Sequence, residues 1–150
     1  MLTAKAKYSL KALAYLAARE RQETAQASEI ARKNNIPKKF LDAILSELRN
    51  AGIVYSQKGP GGGYRLARAP SKIKLGHVIR TIDGPLAPIA CASRTAFQPC
   101  SDCAHVKNCH VRLVMAKVRD AMSDVLDHTS LADMIASGES AKVARTKQKA

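Results

Sequence analysis

The chain has 150 residues, 46% of them hydrophobic and 4% aromatic, with a formal net charge of +13, which suits one ordinary domain with an apolar core. No apolar run approaches the ~20 residues of a membrane-spanning helix, and the N-terminal stretch lacks the apolar segment and cleavage site of a signal peptide, so the sequence reads as cytoplasmic with no membrane partner. The charge is uneven: residues 1–80 carry 16 Lys/Arg against 5 Asp/Glu, and residues 81–150 carry 9 against 7, the pattern of a polyanion-binding head joined to a different second part.

The spacing of Ala6, Leu10, Leu13, Leu16 and Ala17 predicts a helix over 3–20, with Thr3 as its N-cap. A second helix is expected over 26–34 with Ile30 and Ala31 facing inward, closed by a turn at Asn34-Asn35. A third follows over 37–51, with Pro37 at its first position and Gly52 just past its end. Phe40, Leu41, Ile44, Leu45 and Leu48 form its apolar stripe, leaving Lys38, Lys39, Asp42, Ala43, Ser46 and Arg49 outside. Two short helices joined by a tight turn, the second with a basic outer N-terminus, suit a helix-turn-helix. A small helical bundle with a solvated charged face would read the same way up to this point.

The next segment separates the two. "IVYSQK" and "YRLAR" are strand-like and flank Gly59-Pro60-Gly61-Gly62-Gly63, which predicts a hairpin. A phosphate-binding loop would need a helix after its glycines, or a terminal Gly-Lys-Ser/Thr. Here the glycines lead to Tyr-Arg-Leu-Ala-Arg and then Pro70. A hairpin directly after a helix-turn-helix is a wing, with Lys58, Arg65 and Arg68 placing positive charge on it. No pairing of a nucleophile with a base is legible, so the sequence reads as neither an enzyme nor a binder of a small-molecule substrate.

A short helix is expected over 75–83, ending at Gly84-Pro85, and the Pro-containing segment after it reads as a loop. A long helix follows at 105–127. Its apolar positions Val111, Val114, Val118, Ala121 and Val125, joined by Met115, Met122 and Leu126, form a coiled-coil-like seam. Dimerisation is its natural use, with packing onto the chain's own head as the alternative. Ser130 and Asp133 have capping-box spacing and open a short helix. The expected organisation is therefore a mainly α winged helix-turn-helix domain over 1–83, a cysteine-rich sensor loop over 84–104, a dimerisation helix with a short terminal helix over 105–136, and a basic disordered tail over 137–150.

The blocks "LTAKAKYSLKALAYLA", "IARKNNIPKKFLDAILSELRNAGIV", "KGPGGGYRLAR" and the cysteines leading into "LDHTSLADMI" together resemble, over residues 1–135, the IscR/NsrR/RirA (Rrf-type) family of bacterial winged-helix regulators. The resemblance implies a homodimer on double-stranded DNA with a dyad-symmetric operator, acting as a repressor, with an iron–sulfur cluster controlling DNA affinity in many members. It places base reading at Lys38, Lys39, Asp42 and Ala43, with Lys58 and Arg65 on the wing and Gly61 and Gly62 allowing its backbone to approach DNA closely.

Cys91, Cys100, Cys103 and Cys109 all fall within 19 consecutive residues. In a cytoplasmic chain this reads as metal binding or thiol chemistry before structural disulfides. By the resemblance, Cys91, Cys103 and Cys109 match a three-cysteine ligand pattern, and Cys100 is an extra. Some relatives place an acidic or histidine fourth ligand in the first helix, where this chain has Lys7 and Lys11, which cannot ligate when protonated. Cys100, His105, His110 or a small exogenous ligand would then complete a 2Fe–2S or 4Fe–4S cluster. Two other readings stay open: a metal-free thiol switch, and a structural zinc site in a DNA regulator or a metal-binding nucleic-acid scaffold.

Overall fold

The computed structural model describes the backbone of residues 2–148 and the side chains of residues 2–140. Three helices build the head: α1 (Ala4–Ala17), α2 (Ala27–Asn34) and α3 (Lys38–Asn50). The Thr3 hydroxyl accepts a hydrogen bond from the Ala6 amide at 3.1 Å, so α1 starts at its expected cap. Asn35 closes α2 in the left-handed conformation (φ 51°), which an Asn tolerates at a helix end. Pro37 caps α3 instead of opening it: its backbone is non-helical (φ −57°, ψ 128°), while its carbonyl already accepts from the Phe40 and Leu41 amides at 3.0 and 3.1 Å.

The end of α3 is set by Gly52 at φ +69°. The Gly52 amide donates to Arg49 at 3.0 Å and the Ile53 amide to Leu48 at 2.9 Å, the paired bonds of a Schellman motif that only a left-handed residue permits without strain. Leu48 and Ile53, both buried, supply the apolar contact that accompanies it. Leu41, Ile44, Leu45 and Leu48 pack with Leu13, Ile30 and Val54 as one core. Phe40 departs from the expected stripe: it is 50% exposed, its ring edge-on to Tyr8 at 6.3 Å. A stripe of five spans more of the helix circumference than the core covers, and Phe40 lies at its rim.

Strands β1 (Val54–Gln57) and β2 (Gly63–Leu66) pair antiparallel with Val54 opposite Leu66 and Gln57 opposite Gly63. On its other edge β2 is bridged by Ala25: the Ala25 amide donates to Tyr64 at 2.9 Å and the Tyr64 amide to Ala25 at 2.8 Å. The residue leading into α2 thus holds the hairpin against the helix-turn-helix. Structure and sequence agree on a mainly helical winged head.

Helix α4 (Leu75–Asp83) packs on α1 and α3. Beyond it, residues 84–109 are irregular apart from short 3-10 turns at Ala90–Ala92 and Val106–Asn108. Helix α5 spans His110–His128, five residues later than the sequence predicts. The 3-10 turn at 106–108 precedes Cys109, whose extended backbone (φ −67°, ψ 116°) makes it the N-cap. At its other end α5 is tied to the head. Arg80 makes a two-pronged ion pair with Asp127 at 2.6 and 2.9 Å, the Leu75 amide donates to Thr129 at 3.0 Å, and the Leu131 amide donates to Ile73 at 2.8 Å.

Helix α6 runs from Leu131 to Gln148, so the segment from 137 to 148, expected as a disordered tail, has a helical backbone. Its Ala, Lys, Arg, Glu and Gln content favours helix once a preceding turn is nucleated; residues 149–150 of that tail lie outside the described residues. Nucleation comes from the expected capping box: Ser130 donates to Asp133 Oδ2 from its amide at 2.8 Å and its hydroxyl at 2.6 Å, and the Asp133 amide donates back to the Ser130 hydroxyl at 3.1 Å. These bonds hold the Asp133 carboxyl below its ordinary range. Ser130→Ala is expected to cost about 1 kcal/mol, the usual loss for a helix N-cap, and a shift of the urea midpoint measures it.

Candidate nucleic-acid interface and thiol site

Lys38, Lys39, Asp42 and Ala43 are all exposed on the first two turns of α3. Lys38 and Asp42 pair one turn apart at 2.8 Å. A solvent-exposed pair of this kind is worth little, so both groups are available to a polar partner. The core side of α3 is fully sealed by four apolar residues, which fixes the rotation of the helix and therefore which residues point outward.

On the wing, Lys58 is exposed at the turn. Gly61 is exposed at φ +72°, and Thr24 Oγ1 donates to its carbonyl at 2.7 Å. Gly62 is half-buried: a Cβ there would lie 2.4 Å from the Gln57 carbonyl oxygen. Arg65 faces Tyr55 across the two strands and lays its guanidinium 5.0 Å from that ring's centre. The glycines therefore build a closed hairpin turn with no helix following, which sets aside the phosphate-loop alternative on geometry. Phe40 adds an exposed apolar surface among the α3 lysines that helical periodicity alone assigned to the core.

The cysteines divide. The thiols of Cys100 and Cys103 and the carboxylate of Asp102 lie within 4.8 Å of one another, and Cys100 donates to Asp102 Oδ1 at 2.7 Å. That bond favours the Cys100 thiol and raises its pKa, while holding the Asp102 carboxyl low. Cys103 sits between two other thiols: Cys100 first, then Cys109, push it up to about 12. Cys109 moves the other way. As N-cap of α5 its sulfur faces the free Arg112 amide, without closing a full cap hydrogen bond, and this favours the thiolate.

Cys91 is buried where the other three are half-exposed. It is 7% exposed, and its turn is fastened to α5 by two arginines spaced seven residues along one helix face. Arg112 Nε donates to the Cys91 carbonyl at 2.8 Å and stacks at 6.0 Å over Phe97; Arg119 donates to the Ala92 carbonyl. Asp120 joins Arg119 to Arg94 on the surface. His105 and His110 are exposed, and among the described residues neither belongs to a group of three metal-ligating side chains. Sequence reasoning missed Asp102 and the two arginines. The i, i+7 spacing on α5 was the available signal for the arginines, and the Cys-Ser-Asp-Cys order for the acid.

The seam on α5 also divides. Val111, Val114, Val118 and Val125 are 61%, 55%, 41% and 62% exposed. Met115, Met122 and Leu126 are half-buried with Arg112 and Arg119 on the adjoining face, which packs on the chain itself. One half of the predicted seam is satisfied internally, and the valine half is open.

Residues 2–137 match the family model described as Rrf2, iron-dependent transcriptional regulator. A Rhodobacter capsulatus protein described as an rrf2-like regulator of the helix-turn-helix type is 44% identical over 144 residues, covering 94% of this chain and 96% of that protein. The structure of CymR, the global cysteine regulator of B. subtilis, aligns with a TM-score of 0.72 at 32% identity, over 91% of this chain and 96% of that one. IscR of T. potens aligns at 0.73 and 28% identity, over 94% and 90%. With the winged head, the thiol group and these alignments spanning nearly the same residues, the chain belongs to the Rrf2 family of winged-helix transcriptional regulators.

Proposed function

We propose that the chain acts as a homodimer on a dyad-symmetric operator in double-stranded DNA, as a repressor, and that an iron–sulfur cluster on the cysteines of the 91–109 segment controls its DNA affinity. The observation that carries this reading is the place of Cys109. It belongs to the thiol group and is also the N-cap of α5, the helix whose valine stripe is open to a second copy. Sensor and dimer surface are then one continuous piece, tied to the head at the far end by Arg80 and Asp127.

The donor chemistry fits such a group: the thiols of Cys100 and Cys103 and the carboxylate of Asp102 lie together on an irregular, solvent-accessible segment, and clustered thiols suit iron–sulfur ligation. Bound there, the cluster would supply a redox-active centre whose loss returns the thiols to the protonated state. The chain's own residues do the rest. Thiol crowding at Cys103 resists three simultaneous thiolates unless a cation compensates, so the ligand-free loop and the ligated loop differ in charge. A shift at Cys109 changes the start of α5 and hence the setting of two recognition helices that must span about 34 Å, one turn of DNA.

On the DNA side, Lys38, Lys39, Asp42 and Ala43 read bases, with Lys58 and Arg65 on the wing supporting them. Binding is expected to fall on the order of a thousand-fold between about 50 and 200 mM salt if some six phosphates are contacted. Lys58→Ala should weaken all sequences alike and reduce the slope of log affinity against log salt by about one. Anisotropy titrations over a salt series check this, and a slope equal to the parent's would remove Lys58 from the phosphate contacts.

The depressed thiol of Cys109 at a helix N-terminus supports a second reading, thiol oxidation without metal, in keeping with the likeness to a cysteine regulator. Purification without oxygen, followed by visible spectra and assays of iron, sulfide and zinc per monomer, separates the two. Iron and sulfide with operator affinity that changes on their removal support the cluster reading. Metal-free protein whose operator affinity responds to oxidant supports the thiol reading.

A further inference from the structure

We infer that Arg112 is a positioning residue for the cysteine segment: it fastens the turn that carries Cys91 onto the first turn of α5, the turn that Cys109 caps, and so holds the two ends of the segment together for one metal centre. This rests on the metal-binding reading above, in which both cysteines are ligands.

The need for such a residue follows from the chain. Cys91 to Cys109 covers 19 consecutive residues, irregular apart from short 3-10 turns. No sheet or α-helix within that stretch brings its ends together, so closing it costs chain entropy. Arg112 offsets that cost by touching both ends. It is the third residue of α5, whose N-cap is Cys109, and the amides of a helix's first turn lie beside its cap. The backbone of Arg112 is therefore set by the same turn that sets Cys109. Its side chain reaches the other end. Nε donates to the Cys91 carbonyl at 2.8 Å, and the guanidinium lies 6.0 Å from the centre of the Phe97 ring. A charged hydrogen bond and a cation on an aromatic face give one side chain two holds on one loop.

Two further contacts keep the turn from pivoting about that bond. Arg119, further along the same face of α5, donates to the Ala92 carbonyl, and the Gln98 amide closes the loop on the Ala90 carbonyl at 3.4 Å. Cys91 and Ala92 are both buried under these contacts, so Cys91 reaches the site with its backbone already set. Lysine in place of Arg112 would keep the charge, but it has no Nε and no flat guanidinium to lie on Phe97. Arg112→Lys therefore separates position from charge.

The test uses full-length protein purified without oxygen, with iron, acid-labile sulfide and zinc assayed per monomer, and far-ultraviolet circular dichroism confirming the fold of each variant. Metal-free, reduced protein is treated with iodoacetamide and the modification of Cys91 is followed by peptide mass, while loaded protein is challenged with a chelator. Arg112→Ala and Arg112→Lys are expected to open Cys91 to alkylation about ten-fold faster than in the parent, the low end for a lost hydrogen bond to a charged group. Both should also lose metal at least about ten-fold faster, the low end for an outer-shell partner of a metal site. Arg94→Ala, which removes an exposed arginine of the same loop, should match the parent in both assays. An Arg112→Lys variant that matches the parent overturns the inference, since charge alone would then suffice. So do Arg112 variants that expose Cys91 yet hold metal as the parent does, Arg112 variants unchanged in both assays, and an Arg94→Ala variant as depleted as Arg112→Ala. In each of these cases the parent still binds metal, and the metal-binding reading survives. A parent protein that takes up neither iron nor zinc overturns that reading and the part of Arg112 in it together.

Discussion

A Val114→Lys, Val118→Lys double variant is expected to be monomeric and to bind a full palindromic operator about 10²- to 10⁴-fold more weakly, the range by which linking two binding modules raises affinity. The two positions stand at the middle of the exposed stripe of α5, with Val111, Ala121 and Val125 continuing it at steps of three and four. Steps of that kind keep one face toward a partner along a helix crossing at a small angle. Lysine on both partners would bring four like charges into a contact that must exclude water, and burying an unpaired ammonium is costly. The head should be untouched, because α5 contributes no buried residue and the substituted side chains point away from the face packed on α4. Affinity for an isolated half-site is therefore expected to match the parent's. Sedimentation velocity gives the oligomeric state, and anisotropy with full and half operators gives the two affinities. A double variant that remains dimeric, or that loses half-site binding equally, would sink the assignment of the stripe to a second copy.

The same stripe illustrates what the sequence can and cannot say. Period and apolarity located it correctly, but could not separate the valines from Met115, Met122 and Leu126, which lie within one helical step. Only the packing of the 90–92 turn and α4 against α5 decides which residues are covered. The helix ends of the head that were legible have local signals: Thr3, Asn35 and Gly52 each act through their own backbone geometry. Phe40 shows where that stops, since a fifth apolar residue widens the stripe beyond the core it faces. The thiol site was half legible. Cysteine spacing marks the segment, whereas the turn at Cys91 and Ala92 is fastened by Arg112 and Arg119, 21 residues beyond Cys91 and 27 beyond Ala92 respectively. Asp102 escaped notice because an exposed acid in a loop is ordinary until its neighbours in space are known. The helical backbone of 137–148 was missed for a related reason: polar, charged composition reads as disorder, although the same residues extend a helix that has already been capped.

Gly63→Val is expected to destabilise the protein by about 2–5 kcal/mol, combining a disfavoured backbone angle with a steric clash. Gly63 has φ +144°, a conformation that a branched residue avoids. A Cβ built on it would sit 2.5 Å from the Ala25 carbonyl oxygen and 2.7 Å from its carbon. That carbonyl is the acceptor for the Tyr64 amide, one of the two bonds that hold β2 to the residue before α2. Neither side can yield cheaply: Ala25 is buried in the core cluster, and Gly63 is paired with Gln57 across the hairpin. The substitution must therefore break the Ala25–Tyr64 bridge or unpair the wing. Gly61 provides the contrast. Its φ is +72° but a Cβ there meets nothing within 4 Å, and Gly61→Asn should cost about 1 kcal/mol or less, since Asn tolerates the left-handed region. Urea denaturation of both variants measures the difference, and operator titration at low temperature, where the folded fraction is retained, measures its consequence. A wing no longer braced by Ala25 should lose more affinity than Lys58→Ala, because the whole hairpin is displaced relative to α3 and not one charge alone. If Gly63→Val unfolds at the parent's urea midpoint and binds operator as tightly, then the bridge at Ala25 does not position the wing.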